Sequence, residues 1–228
     1  MILHVLEGAK SARLISSVIV ATDDQRIQSV VETAGGKVIM TSGTHETGTD
    51  RVAEVAGHLS CDIIVNVQGD EPFIRGTVID DLVRVLQSED SLADMATLAV
   101  RITSAKEILD PNVVKVVWDG SGRALYFSRS PIPFHRDAWA SSADLINPDF
   151  SGESFCFKHI GVYGYRRPAL FRLSSAKPSR LEHIEKLEQL RALSMGIKIR
   201  VVETSYDSFG IDTPEDLFRA EQWLSSSL

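Results

Sequence analysis

Apolar residues in this chain fall into two alternating rhythms: short unbroken runs, and longer stretches with apolar positions three and four apart. The opening MILHVLEGAK places Ile2, Val5, Leu6 and Ala9 on one side of a helix. SSVIVAT (16–22) is a short apolar strand. DDQRIQSVVETAGG then combines helical spacing with a Gly35-Gly36 stop. KVIMT (37–41) reads as a strand, GTDRVAEVAGHL (48–59) as a helix, DIIVNVQ (62–68) as a strand, GTVIDDLVRVLQS (76–88) as a helix and DMATLAVRI (94–102) as a strand. This alternation predicts an α/β fold, a mostly parallel sheet with helices on both faces.

The pattern changes in the middle of the chain. NVVKVVWDGSGRALYFSRSPIPF sets two β-rich runs around Asp119-Gly120-Ser121-Gly122, a hairpin signal. A polar stretch, 136–154, reads as loop, and FKHIGVYGYR (157–166) as a strand. PSRLEHIEKLEQLRALSMG predicts one helix: Ser179 caps it, Leu181, Ile184, Leu187, Leu190 and Leu193 form its buried stripe, and Gly196 ends it. IKIRVVET is a further strand and TPEDLFRAEQWL a closing helix. Without repeats or a linker, residues 1–228 count as a single domain.

Composition narrows the function. A formal charge of −7 gives no global basic field for nucleic acid or an anionic membrane. No apolar run approaches the ~20 residues of a membrane span, and the opening lacks a signal peptide's basic start. Two cysteines, Cys61 and Cys156, are too few for a disulfide framework, which makes a reducing cytoplasm the expectation. In CFKH, Cys156 and His159 have no companions to complete a zinc site.

Two acids stand out. IVNVQGDEPF (64–73) ends a buried strand by pushing Asp70 and Glu71 into a loop, where open α/β sheets bind ligands. In FGIDTPEDL (209–217), Glu215 and Asp216 suit a helix start, with Thr213 as cap and Pro214 at the first turn. Asp212 precedes that cap, so the helix does not account for it. Two strand-end carboxylates without His or Cys suit a hard cation such as Mg²⁺, although a loop Asp is commonly a plain turn former.

ATDD, TGTDRVAEV, VNVQGDEPF, ALYFSRSPIP, KHIGVYGYR, LEHIEKLEQLR and GIDTPEDL occur in this order. Together they resemble the 3-deoxy-manno-octulosonate cytidylyltransferases, or CMP-Kdo synthetases, from Met1 to about residue 224. The resemblance implies a Rossmann-like nucleotide-diphospho-sugar transferase fold. It also implies transfer of CMP from CTP to the anomeric hydroxyl of Kdo, an acidic eight-carbon sugar, releasing pyrophosphate for lipopolysaccharide assembly. By the motif match, Asp70 and Asp212 would be catalytic and hold Mg²⁺. Thr47, Gly48, Arg51 and Gln68 would lie on the nucleotide side. Arg129 would grip the sugar carboxylate, His159 and Tyr163 would share one strand face, and Gln189 would complete the set from the polar face of its helix.

One departure from the resemblance concerns the start. The family opens with a strand and a basic glycine-containing loop ahead of the helix that begins here at Met1. The simplest account is a start assigned at an internal Met or an N-terminally shortened sequence. Lacking that unit, the chain as written is expected to catalyse poorly and to leave unpaired backbone on neighbouring strands. The alternative function is a degenerate paralogue that binds nucleotide or a partner without efficient turnover. A nucleotide-sugar transferase would normally carry an Asp-x-Asp pair, which QGDEP is not. A sialate cytidylyltransferase shares the chemistry, but its substrate loop does not resemble YFSRSPIP. The β-rich middle, aromatic on both faces, predicts a two-fold homodimer through that region.

Overall fold

The computed structural model describes residues 1–228 except 89–91, 138, 140–154, 208–217, 219, 221 and 223–228. Its first elements follow the predicted order: α1 (Ile2–Lys10), β1 (Ile19–Thr22), α2 (Gln25–Thr33), β2 (Lys37–Met40), α3 (Gly48–Gly57), β3 (Ile63–Asn66), α4 (Gly76–Gln87) and β4 (Met95–Arg101). A short helix α5 (Ala105–Leu109), which the sequence reading missed, leads to β5 (Lys115–Trp118), β6 (Ala124–Ser128) and β7 (Phe157–Arg166). Then come α6 (Arg167–Ser174), also missed, α7 (Arg180–Glu185), α8 (Gln189–Ser194) and β8 (Ile199–Glu203). The polar stretch 136–154 and the closing helix lie mostly outside the described residues, although 218, 220 and 222 are helical.

The α/β expectation holds, but the sheet is mixed rather than mostly parallel. β4 pairs with β8 in parallel, whereas β7 runs antiparallel to β3, β4 and β5. The ten-residue β7 is therefore a central strand rather than part of a peripheral excursion. One of its edges follows β4 over the full length. The other meets β5 at Lys158 and β3 from Tyr163 to Arg166. β1 and β2 form a separate parallel pair.

Helices pack on both faces of this sheet and create two apolar clusters. Val5, Ala9, Ile79 and Leu82 of α1 and α4 meet Ile160 and Val162 on one face. Ala53 and Ala56 of α3 and Leu170 of α6 meet Tyr165 and Ile199 on the other. The opening helix docks as its pattern predicts, burying Val5, Leu6 and Ala9. Its seat is close: a Cβ at Gly8 would lie 2.2 Å from the Ile74 carbonyl oxygen. The buried carboxylate of Asp80 accepts the N–H groups of Arg13 and Leu14, fixing the chain as it leaves α1.

The predicted hairpin forms β5 and β6. Asp119 Oδ1 accepts the N–H groups of Ser121 and Arg123, and Gly122 takes a φ of 78° that a side chain would resist.

The helix predicted over 178–196 is two helices. Ser179 caps the first in a capping box with Glu182, as its position suggests. At Lys186 the chain turns left-handed, with φ 54°. Arg129 supplies the physical reason: its Nε and Nη2 donate to the carbonyls of Glu185 and Lys186, which a continuing helix would have bonded internally. The break rotates the apolar stripe. Leu187 and Leu190 are buried, while Leu181 and Ile184 are exposed.

Candidate active site

The residues expected on the nucleotide side gather at the start of α3. Thr47 caps this helix by accepting the Asp50 N–H, leaving the first-turn donors of Gly48 and Thr49 at a positive helix end. Gly48 lies against the Gln68 side chain, since a Cβ there would sit 3.4 Å from Gln68 Oε1. Arg51 pairs with Asp23 at 3.1 Å and donates to Thr41 Oγ1 at 2.5 Å. These contacts bring the C-terminal ends of β1, β2 and β3 to one rim. Asp70 follows immediately, half-buried in the turn closed by the Glu71 N–H on the Gln68 carbonyl.

The residues expected on the sugar side sit on β7 and around the Lys186 break. His159 and Tyr163 share a face as predicted, with ring centroids 5.3 Å apart. Thr97, opposite them on β4, fills a register shift in the β4–β7 ladder, and its hydroxyl donates to the Val162 carbonyl at 2.9 Å. With its proton so used, Thr97 Oγ1 accepts from His159 Nε2–H, also 2.9 Å away, which leaves Nδ1 as an acceptor. Burial holds the imidazole neutral, lowering its pKa to about 3. Burial likewise pushes the Tyr163 phenol well above its ordinary value, with Tyr165 and Glu188 adding to the effect.

Arg129 is held firmly. Besides the Glu185 and Lys186 carbonyls, it donates through Nη1 to Pro111 O at 2.8 Å, and its own N–H goes to Glu185 Oε2. The buried Lys115 donates to the Arg129 carbonyl at 2.6 Å, and burial lowers the lysine's pKa. The guanidinium thus reaches a sugar carboxylate only with the N–H groups left over from three carbonyls. Gln189 opens α8 but is buried, rather than lying on the polar face expected of one continuous helix. The break at Lys186 is the cause.

The Cytidylyltransferase family profile matches residues 1–199. The chain is 56% identical over 223 residues to the 3-deoxy-manno-octulosonate cytidylyltransferase of Pelobacter propionicus, covering 97% of this chain and 86% of that protein. It is 54% identical over 218 residues to the enzyme of the same name from Geobacter sulfurreducens, covering 95% and 86%. A solved structure described as CMP:2-keto-3-deoxy-manno-octonic acid synthetase complexed with CTP superposes with a TM-score of 0.89 at 40% identity, covering 100% of this chain and 88% of that one. The chain belongs to the 3-deoxy-manno-octulosonate cytidylyltransferase family. A more distant structure, 4-diphosphocytidyl-2C-methyl-D-erythritol synthase from Anaerococcus prevotii, shares the fold at 15% identity and a TM-score of 0.62, covering 98% and 86%.

In this cytidylyltransferase the two halves of the site are joined by residues that sequence reasoning passed over. Thr49 Oγ1 donates to Glu188 Oε2 at 2.7 Å, while among the described residues Glu188 Oε1 is buried without a hydrogen-bond partner. Burial raises the Glu188 carboxyl above its ordinary value. Thr49 and the buried Asn66 also bond the Tyr165 hydroxyl. Glu188 sits one position before Gln189, and in a helix read as continuous it falls four after Ile184 and seven after Leu181, a polar residue within the apolar stripe. That charged position on an otherwise apolar stripe is the one local signal that could have marked it. Asp212 lies outside the described residues, and among those described no three potential ligands cluster as a metal site.

Proposed function

We propose that this chain transfers CMP from CTP to the anomeric hydroxyl of Kdo, giving CMP-Kdo and pyrophosphate for lipopolysaccharide biosynthesis. The observation that carries the reading is the Thr49–Glu188 bond, because it ties the nucleotide-side helix start to the sugar-side residues Tyr163 and Gln189. Family membership supports the same chemistry, as does the likeness to the CTP-complexed synthetase.

In this reading the cytidine half of CTP lies against Thr47, Gly48 and Gln68, with Arg51 held as a wall by Asp23 and Thr41. Kdo is received by His159 Nδ1, the Tyr163 hydroxyl, Gln189 and the remaining donors of Arg129. The anomeric oxygen attacks the α-phosphorus, the bond to the β-phosphate oxygen breaks, and pyrophosphate leaves as the hydroxyl proton is lost. Both substrates are anionic, while Asp70, Glu71 and Glu188 add negative charge. Arg51 is paired with Asp23, and Arg129 is largely spent on carbonyls. The carboxylate donor set of Asp70 and Asp212 fits Mg²⁺, which would offset charge at the phosphates.

Assembly as a homodimer and residence in the cytoplasm belong to the same proposal. Among the described residues no helix is long and apolar enough to cross a membrane. The dimer reading draws on Leu125 of the β6 hairpin, Phe134 and Phe155, all more than half exposed. A paralogue without turnover is the disfavoured alternative, since relatives 56% and 54% identical over nearly the whole chain carry the enzyme's name. The test is an assay of the purified chain with CTP, Kdo and Mg²⁺. Stoichiometric CMP-Kdo and pyrophosphate are expected, and nucleotide binding without product would overturn the catalytic reading.

A further inference from the structure

Arg129 and Glu185 clasp each other twice. The Arg129 N–H donates to Glu185 Oε2 at 2.9 Å, and the Arg129 side chain returns through Nε to the Glu185 carbonyl at 2.7 Å. The same carboxylate reaches the residues on either side. Ser128 donates its hydroxyl to Oε1 at 2.7 Å, while the Ser130 N–H goes to that Ser128 oxygen at 3.0 Å. Three consecutive residues, Ser128 to Ser130, are thereby set by one side chain, the last of α7.

A carboxylate so near an Arg ordinarily takes the guanidinium as a bidentate ion pair. Here it does not. Among the described residues Arg129 makes no ion pair. Its guanidinium rests on three carbonyls, those of Glu185, Pro111 at 2.8 Å and Lys186 at 3.5 Å. Neutral carbonyls orient a guanidinium without cancelling its charge. They take one N–H from each nitrogen and leave one on each terminal nitrogen for an anion. The buried Lys115 holds the Arg129 carbonyl at 2.6 Å, so the backbone that carries this side chain is fixed at both its N–H and its C=O.

We propose that Glu185 is a positioning residue for acid selectivity: it aims Arg129 while leaving the guanidinium charge for the carboxylate of a sugar acid. It acts through Arg129 rather than on the substrate. The inference rests on the reading above that Arg129 receives the sugar carboxylate. What the clasp requires of the Glu185 side chain is an acceptor at the right distance from the Arg129 N–H, not a charge. Gln at this position keeps that acceptor and can donate to the Ser128 oxygen. Asp keeps the charge but falls one methylene short. The order of the two variants is therefore the reverse of what a charge–charge role would give.

The experiment is calorimetric titration of the 228-residue chain with Kdo and with its carboxamide, in buffer without Mg²⁺ so that binding alone is read. The parent should prefer the acid. Glu185→Ala and Glu185→Asp should each lose about tenfold of that preference, and Glu185→Gln should keep it within about threefold. If the Ala variant does not fold, the Asp and Gln pair carries the test. An unchanged preference in the Asp variant would overturn the proposal. So would acid and carboxamide weakening together, which marks general loosening, or a Gln variant that falls as far as Asp. A parent that binds no Kdo, or binds both compounds alike, would overturn the placement of the sugar carboxylate at Arg129 and this inference with it. A selective parent whose variants stay selective would overturn the role of Glu185 alone.

Discussion

Thr49 Oγ1 and Glu188 Oε2 lie 2.7 Å apart although 139 positions separate them in sequence. The bond fixes the first turn of α3 to the start of α8. Two substrates bound to those elements would consequently be held in one register. It also leaves a buried carboxylate oxygen at the junction.

Glu188 should give stability a distinctive pH dependence. Burial raises its carboxyl, so above the ordinary carboxylate range the native chain holds a proton that the unfolded chain has released. Its contribution is full at low pH and falls as pH rises through the raised value. Glu188→Gln keeps an oxygen for the Thr49 hydroxyl while removing the titration. The variant's Tm should gain on the parent's between pH 4 and pH 7. A Tm difference that shrinks or reverses over that interval would show the carboxyl is not raised.

His159 should behave in the opposite sense. With its folded pKa lowered to about 3 from 6.5, the unfolded chain binds more protons between those values. Stability is therefore present above pH 6.5 and drains away as pH falls toward 3. His159→Gln should lose less stability over that range. Nitrogen NMR should show an Nε2–H tautomer that does not titrate between pH 5 and 8, and a midpoint near 6.5 would refute the assignment.

Asp70→Asn should lower kcat on the order of 10²-fold or more, with Tm within a few degrees of the parent. Chelation should abolish turnover and Mg²⁺ restore it. Full activity in the presence of chelator would remove the metal from the mechanism.

Lys186 holds the left-handed break with a φ of 54°. A β-branched residue resists that conformation, so Lys186→Val should cost about 1–2 kcal/mol, whereas Lys186→Gly should be close to neutral. Denaturant midpoints measure both. Equal effects would mean that the backbone strain is not what distinguishes this position.

For assembly, light scattering at micromolar concentration should give twice the 25.1 kDa chain mass. A monomer mass would reject the homodimer.

The sequence by itself determined the order of helices and strands, because 3.6- and 2-residue periodicities are properties of a chain's immediate neighbourhood. It determined the Asp119–Gly122 hairpin, the buried face of α1 and the Ser179 cap for the same reason: each depends on residues a few positions apart. Its ordered motifs also revealed the family, and with it a set of expected site residues. Only the tertiary structure decided that β7 runs antiparallel at the sheet's centre, since strand direction is set by pairing with β3 and β4 rather than by β7 itself. It alone broke the 178–196 helix, because Arg129, just after β6, takes the carbonyls the helix would have used. That break buries Gln189 and aims Glu188 at Thr49, contacts that local periodicity cannot encode because their energy comes from partners far along the chain.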